Sequence, residues 1–432
     1  MFKHIISLML FCFCCAQIPD ELSDFTECSE KGYPDWDSLT GYLQRLDVSS
    51  PYQKKTTTPL FMPLFTSHPL SGVIPNSTIT TLAVFVHGLS GAAQTYFCDA
   101  MTASKGHNAI VVAPWFGDEQ VTSDFWSRPK ETTVAGYSTY WTTSRWLTGG
   151  NISPGATSAT QYTTAFDIME AILKNVTGSG LYPNLKLVSL NGFSAGSQFF
   201  GRFMWASQVG GTVGTAAAAT GGVPTRFLIS DPGSYLYLTG ERPSPQCRPL
   251  KDTGSNWQCD SWEVPPEVCA DYDQYKYGIA PGTFSNLNRY LEMYDRNATA
   301  RSTATRLMGY KDIRFIFGAE DSCNCNSAGF QNGESCYPGG GSFSCSPNAA
   351  GGRGCCDTYP DSTSNNAMDT NCEAMVQGSN RLQRGLMYVQ HLNRVFPGRA
   401  RGEFPFSVLS GMQHDNEFEF TSPEFQKYAY FE

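Results

Sequence analysis

The residues Gly192-Phe193-Ser194-Ala195-Gly196 have the types and spacing that make a serine reactive. They follow an apolar run at Lys186–Leu190 and precede Phe199, Phe200, Phe203 and Met204, whose spacing suits a helix. A strand, a sharp turn and a helix in that order hold a serine hydroxyl above the edge of a sheet. Glycines flank the serine because the turn leaves little room for side chains. The helix N-terminus then lies beneath it, and the backbone N–H of Ala195 points toward negative charge developing on a substrate oxygen. The chemistry such a site performs is acyl transfer. A G-x-S-x-G pattern also arises by chance in structural turns, so the position at a strand–helix junction is what favours the catalytic reading here.

A serine hydroxyl is a weak nucleophile and needs a base. Behind a serine elbow of this kind the chain order is Ser, acid, His. Only six histidines are present: His4 lies in the apolar leader, and His68, His87 and His107 precede Ser194, leaving His391 and His414. His391 falls inside a helical pattern and reads as a helix-face residue. His414 follows the last strand-like run through Gly411-Met412-Gln413 and is assigned as general base, then as general acid to the leaving group. The acid that orients it should follow a strand between the two. Ile313–Phe317 leads through Gly318-Ala319-Glu320 to Asp321, which is favoured on its turn context. Asp231, after the run Phe227–Ile229, is the alternative. The second oxyanion donor is expected from the loop His87-Gly88-Leu89-Ser90-Gly91, with the Leu89 N–H first and Ser90 close behind. His87 reads as structural. Trp115 and Phe116 suit a pocket wall and core packing equally well.

Those residues need a frame. Short apolar runs without polar alternation recur at Leu82–Val86, Ala109–Ala113, Leu187–Leu190, Phe227–Ile229, Ile313–Phe317 and Phe406–Leu409, as in strands buried on both faces. Between them, Tyr162, Phe166, Met169, Leu173 and Val176, and later Leu382, Leu386, Val389, Leu392 and Phe396, recur at helical steps. Alternating strands and helices predict an α/β architecture: a mostly parallel central sheet covered by helices on both faces, from residue 80 to 432. Residues 18–79 read as a loosely structured N-terminal extension. Residues 232–305 read as a lid or cap segment, and residues 322–372 as a disulfide-rich insertion between the acid and histidine motifs.

Residues 1–17 read as a secretory signal peptide, with a short basic start and an apolar stretch at Ile5–Cys14 that is too short to span a bilayer. No other stretch is long and apolar enough to span. Of fifteen cysteines, three lie in this leader and twelve remain, an even number that suits an oxidising compartment. Seven fall in the insertion, so if all pair, at least one bond must leave it. Cys323-Asn324-Cys325 and Cys355-Cys356 lack paired zinc spacing, and the Asp- and Asn-rich run 357–371 lacks an EF-hand pattern, so no metal or other cofactor is expected. Sequons at Asn76, Asn175 and Asn297 are candidate glycosylation sites; Asn151, followed closely by Pro154, is the weakest of four. The net charge of −9 with no basic block argues against a nucleic-acid partner.

Taken together, Val86-His87-Gly88, Ala113-Pro114-Trp115, Gly192–Gln198, Asp231-Pro-Gly-Ser-Tyr-Leu-Tyr237, Gly318–Cys323, Cys372–Gly378, Asn380–Gly385 and Gly411–His414 resemble the α/β-hydrolase superfamily. Within it they are most similar to a group of secreted or predicted eukaryotic hydrolases of fungal type. The matching stretches run from about residue 80 to 425. The resemblance implies the α/β-hydrolase fold, a Ser194–Asp321–His414 triad, and an insertion bracketed by Cys323 and Cys372. Phe193 stands where such elbows often have His, and Leu89–Ala93 lacks the polar pattern of that group, which bears on substrate shape and not on the chemistry. The expected activity is hydrolysis of carboxylic esters, small or polymeric, through an acyl-enzyme. Amide or peptide hydrolysis with the same triad is the first alternative, and a non-catalytic binding protein on the same fold is the second.

Overall fold

The computed structural model describes residues 42–48, 60–117, 137–141, 143–152, 163–210, 220, 222–247, 259–265, 269–282, 290–292, 297–319, 321, 369, 371–378 and 380–431. The leader, Glu320, Tyr162 and residues 322–368 of the cysteine-rich insertion lie outside these.

Each of the six apolar runs forms a strand: β3 (Thr81–Val86), β4 (Ala109–Pro114), β6 (Leu187–Phe193), β7 (Thr225–Ser230), β10 (Asp312–Gly318) and β11 (Phe406–Leu409). All six are mutually parallel, in the order β4-β3-β6-β7-β10-β11. In β3, Leu82, Val84 and Val86 enter one apolar cluster and Ala83 and Phe85 the other, so consecutive side chains are buried on opposite faces. This is why the strands read as unbroken apolar runs. The larger cluster holds α2 (Ala165–Gly178), α3 (Ala195–Ala206), α4 (Ala298–Met308) and α5 (Arg381–Val395) against the sheet. The smaller one holds α1 (Ala93–Ala103) and the C-terminal pair α6 (Asn416–Thr421) and α7 (Pro423–Tyr430). Helix α2 starts at a capping box in which Thr164 and Asp167 bond each other's backbone N–H, which fixes its first turn.

Residues 18–79 were expected to be loosely structured, and for the described part of that range the structure differs. Residues Leu43–Asp47 (β1) and Leu60–Thr66 (β2) extend the same sheet, with β2 antiparallel to β4 and β1 antiparallel to β2. Tyr137–Ser138 (β5) pairs with β2, and Arg242–Pro243 (β8) and Trp262–Glu263 (β9) form a separate antiparallel pair. Pro63 sits inside β2 and argues against a central strand in a reading of residue types. It is accommodated opposite Arg45, near the edge of the sheet.

Two long segments that break the strand–helix rhythm are joined covalently. Cys269 bonds Cys372, which ties the end of the insertion to residues 232–305, and Cys247 bonds Cys259 within that segment. Just before Cys372, Asp369 accepts from Lys276 Nζ at 3.1 Å and from the Tyr277 hydroxyl at 2.7 Å. Residues 235–238 pack on α5: the Tyr388 hydroxyl donates to Leu236 O, and His391 Nε2 accepts from Leu238 N–H. His391 is thus a buried helix-face residue, as its pattern implied. No described helix is long and apolar enough to cross a membrane.

Candidate active site

The chain runs from β3 to β4 on one side of the sheet, then returns to lay β6 on the other side of β3. That reversal opens a crevice at the C-terminal ends of β3 and β6, where parallel α/β sheets hold their ligands. The loop His87–Gly91 leaves one lip, and Ser194 rises from the other.

Ser194 is the N-cap of α3, with φ 54° and ψ −116°, and is only partly buried. A non-glycine residue there costs about 1–3 kcal/mol, so its surroundings must hold it. Its N–H is fixed to Ser230 O at the end of β7 (2.9 Å). The two glycines of the motif are needed for approach: a Cβ on Gly196 would stand 2.0 Å from Val86 O, and one on Gly192 2.6 Å from the Gly196 backbone. The turn therefore lies directly against the end of β3.

His414 follows β11. Its Nδ1 donates to Asp321 Oδ2 at 2.6 Å, and the second Asp321 oxygen accepts from Arg381 Nη1 at 3.2 Å. Burial works against the Asp321 charge, but His414 and Arg381 together hold the carboxyl below the usual range, so it is ionised. Burial, then Arg381, push His414 below the ordinary imidazole value despite Asp321. The resting imidazole is neutral, with its proton on Nδ1 and a lone pair on Nε2. The Phe193 ring, next to the serine, packs 4.6 Å from the imidazole. Gly318, at the end of β10, lets the His414 loop approach: a Cβ there would lie 2.6 Å from Met412 O.

Asp231, the alternative acid, is also buried at this edge, and it presents an oxygen within 4.8 Å of ligand-type atoms of Asp321 and His414. Its Oδ2 accepts the Gly318 N–H at 2.9 Å. The acceptor for the His414 Nδ1–H is Asp321.

On the opposite lip, a Cβ on Gly88 would lie 3.9 Å from the Ser194 Cβ. His87 is fully buried; its Nδ1 donates to Gly88 O at 2.7 Å and its Nε2 accepts from Phe116 N–H at 3.1 Å. Burial pushes this imidazole down to about 4, against the Gly88 carbonyl, so it is neutral and structural. Since the C=O and N–H of one peptide point in opposite directions, holding Gly88 O turns the Leu89 N–H the other way. Neither Leu89 N–H nor Ala195 N–H donates to a backbone acceptor among the described turn and loop bonds. Trp115 and Phe116 are core residues: Phe116 stacks on Trp146 with centroids 5.4 Å apart.

Arg381, Phe193 as a support for the imidazole, and the nearness of Asp231 to Asp321 were not foreseen from the sequence. Arg381 stands in the Asn380–Gly385 motif, but only the docking of α5 beneath Asp321 shows what it does.

No family model and no curated protein matches the chain. Among solved structures, it is similar to poly(aspartic acid) hydrolase-1 from Sphingomonas sp. KT-1, at 14% identity and TM-score 0.46, over 90% of this chain and 98% of that one. It is also similar to LpqC, a poly(3-hydroxybutyrate) depolymerase from Bordetella parapertussis, at 16% identity and TM-score 0.43, over 89% of each chain. A third is the siderophore hydrolase EstB from Aspergillus nidulans, at 11% identity and TM-score 0.34, over 90% of this chain and 94% of that one. At these scores the fold rests on the chain's own strand order, its parallel register and the positive-φ serine at the strand–helix junction. Those features define the α/β-hydrolase fold.

Proposed function

We propose that this protein is a secreted serine hydrolase that cleaves carboxylic esters. The observation that carries the reading is the short His414–Asp321 hydrogen bond at the same sheet edge as a strained, partly exposed Ser194. In the proposed reaction, Ser194 Oγ attacks the ester carbonyl carbon while His414 Nε2 takes the hydroxyl proton. The Leu89 and Ala195 N–H groups hold the oxyanion, each worth about 10²–10³ in rate. Collapse breaks the C–O bond, and the departing alkoxide takes the proton from His414. Water, deprotonated by the same nitrogen, then releases the acid and restores Ser194. Asp321 stays ionised throughout and stabilises the imidazolium. Amide hydrolysis would need the same groups but faces a poorer leaving group, so esters rank first.

Export is supported by the leader-like start, the even cysteine count of the remaining chain and the two described disulfide bonds. The similarity of the motifs to secreted hydrolases of fungal type points the same way. N-glycans are proposed at Asn76, Asn175 and Asn297. Asn175 and Asn297 are exposed, and Asn76 accepts from Thr78 Oγ1 at 2.6 Å within its own sequon.

The test is a fluorophosphonate probe with mapping of the modified residue. Labelling at Ser194 that disappears on denaturation is expected. Ser194→Ala should abolish labelling and lower ester turnover on the order of 10⁴–10⁶-fold while melting as the wild type does. Turnover retained in a clean Ser194→Ala preparation would sink the mechanism, and a folded wild type that never labels would favour a binding role.

A further inference from the structure

Two acids meet behind His414, and the proposed reaction uses one. Asp231 is fully buried at the end of β7, with φ 44°. Strands β7 and β10 pair in parallel up to Ser230 and Ile316, which leaves Asp231 beside the end of β10, and the turn after Gly318 brings Asp321 back to it. Asp231 Oδ2 takes the Gly318 N–H, while Oδ1 is buried with no hydrogen-bond partner among the described residues. An acid needed only to bridge two strand ends through one N–H would be served by an amide.

We infer that Asp231 is a reserve acid for His414, a second carboxyl on the neighbouring strand end that can support the imidazolium when Asp321 cannot. The inference rests on the triad reading above.

The physical argument is one of like charges in a dry site. The groups facing Asp231 are Asp321, His414, Glu419 from α6, Arg381 from α5 and Tyr235 from the segment after β7. Burial first, then Asp321 and Glu419, push Asp231 well above the carboxylate range, so it is neutral while Asp321 is charged. Burial raises the Glu419 carboxyl as well, so it repels Asp231 only once it ionises itself; it accepts from Ser230 Oγ at 2.5 Å. If Asp321 loses its charge, the main repulsion on Asp231 disappears and the Arg381 guanidinium lacks its carboxylate. Both changes favour ionisation of Asp231, within 4.8 Å of the His414 and Asp321 atoms. Asp231 acts through His414, so it is a positioning residue.

The experiment compares wild type, Asp321→Asn, Asp231→Asn and the double variant, with Ser194→Ala as blank. Asparagine keeps the acceptor for Gly318 N–H and tolerates positive φ; Asp321→Ser replaces Asp321→Asn if that protein does not fold. With 4-nitrophenyl acetate across about pH 5–9, Asp321→Asn should keep turnover at least about 10-fold above the double variant. That residue of activity should rise with pH as Asp231 gives up its proton. Equal turnover of the two at every pH would overturn the inference. The infrared C=O stretch of a neutral carboxyl gives a reading independent of activity. Over the band of Glu419, which wild type and all the variants share, one further neutral carboxyl should be present in wild type at neutral pH and missing from Asp231→Asn and from Asp321→Asn alike. A neutral Asp231 persisting in Asp321→Asn would overturn the inference, as would an ionised Asp231 in wild type. Absence of turnover in the folded wild type would instead count against the esterase reading, leaving the infrared result to decide the exchange.

Discussion

Asp321 must stay ionised where water is excluded, and two partners make that stable: the guanidinium of Arg381 and the imidazole of His414. The same Arg381 disfavours protonation of His414 in the resting protein. The proposed base is therefore neutral at neutral pH, and loss of activity on the acid side should report its titration. Burial and Arg381 place that titration below the ordinary value of 6.5. In a pH–rate profile, kcat/KM should fall as pH drops through a midpoint under 6.5 and be flat just above it. The sign follows from the proposed role, since only a neutral imidazole can accept a proton from Ser194. A midpoint above neutrality would contradict the environment described for His414.

Helix α3 carries the site at one end and is anchored at the other. At its N-terminus stands Ala195, the second of the two proposed oxyanion donors, where the helix dipole favours negative charge. At its C-terminus, the buried Lys311 donates from Nζ to Met204 O at 2.6 Å and to Ser207 O at 2.7 Å. Burial pushes this ammonium down to about 7. Lys311→Met would leave two buried carbonyls without that donor, and it should lower stability by about 1–3 kcal/mol in denaturant unfolding, with unchanged labelling of the folded protein. A variant as stable as wild type would show that the cap is unnecessary. The other end tolerates less. Gly196→Ala sets a methyl group 2.0 Å from a strand carbonyl that cannot move alone, so α3 must shift from β3. The expected cost is on the order of 3 kcal/mol or more, read as loss of soluble folded protein or a large drop in Tm. A normal Tm would mean that the turn is looser than the close approach implies.

At the scale of the molecule, the sheet provides the site and the disulfides hold the long segments near it. Cys269 and Cys372 are 103 residues apart, so their bond closes a loop of that length. Constraining such a loop in the unfolded chain is worth about 2–5 kcal/mol. Cys269→Ser/Cys372→Ser should therefore unfold at lower denaturant than the wild type, and mild reduction should move the wild type the same way. Unchanged midpoints would show that the contacts of Asp369 with Lys276 and Tyr277 suffice to hold the segment.

What the sequence determined by itself was everything set by neighbours along the chain. Gly192–Gly196 announced the elbow because the turn needs its small residues within one pentapeptide. The six parallel strands were legible because burial on both faces leaves an unbroken apolar run, and helices α2 and α5 because one face repeats at helical steps. His414 emerged as the candidate base by elimination among few histidines, and the structure pairs it with Asp321. The rest depended on distance in space. Strand β2 carries Pro63 and joins through an antiparallel edge that no local pattern marks. The chain reversal between β4 and β6 sets the crevice, yet it is a choice of sheet order and leaves no trace in either strand. Asp231 and Asp321 both follow strands, so only the packed strand ends decided that Asp321 bonds His414 and Asp231 bonds Gly318. Arg381 lies 60 positions from the acid it holds, and such a pairing exists only once α5 docks on the sheet.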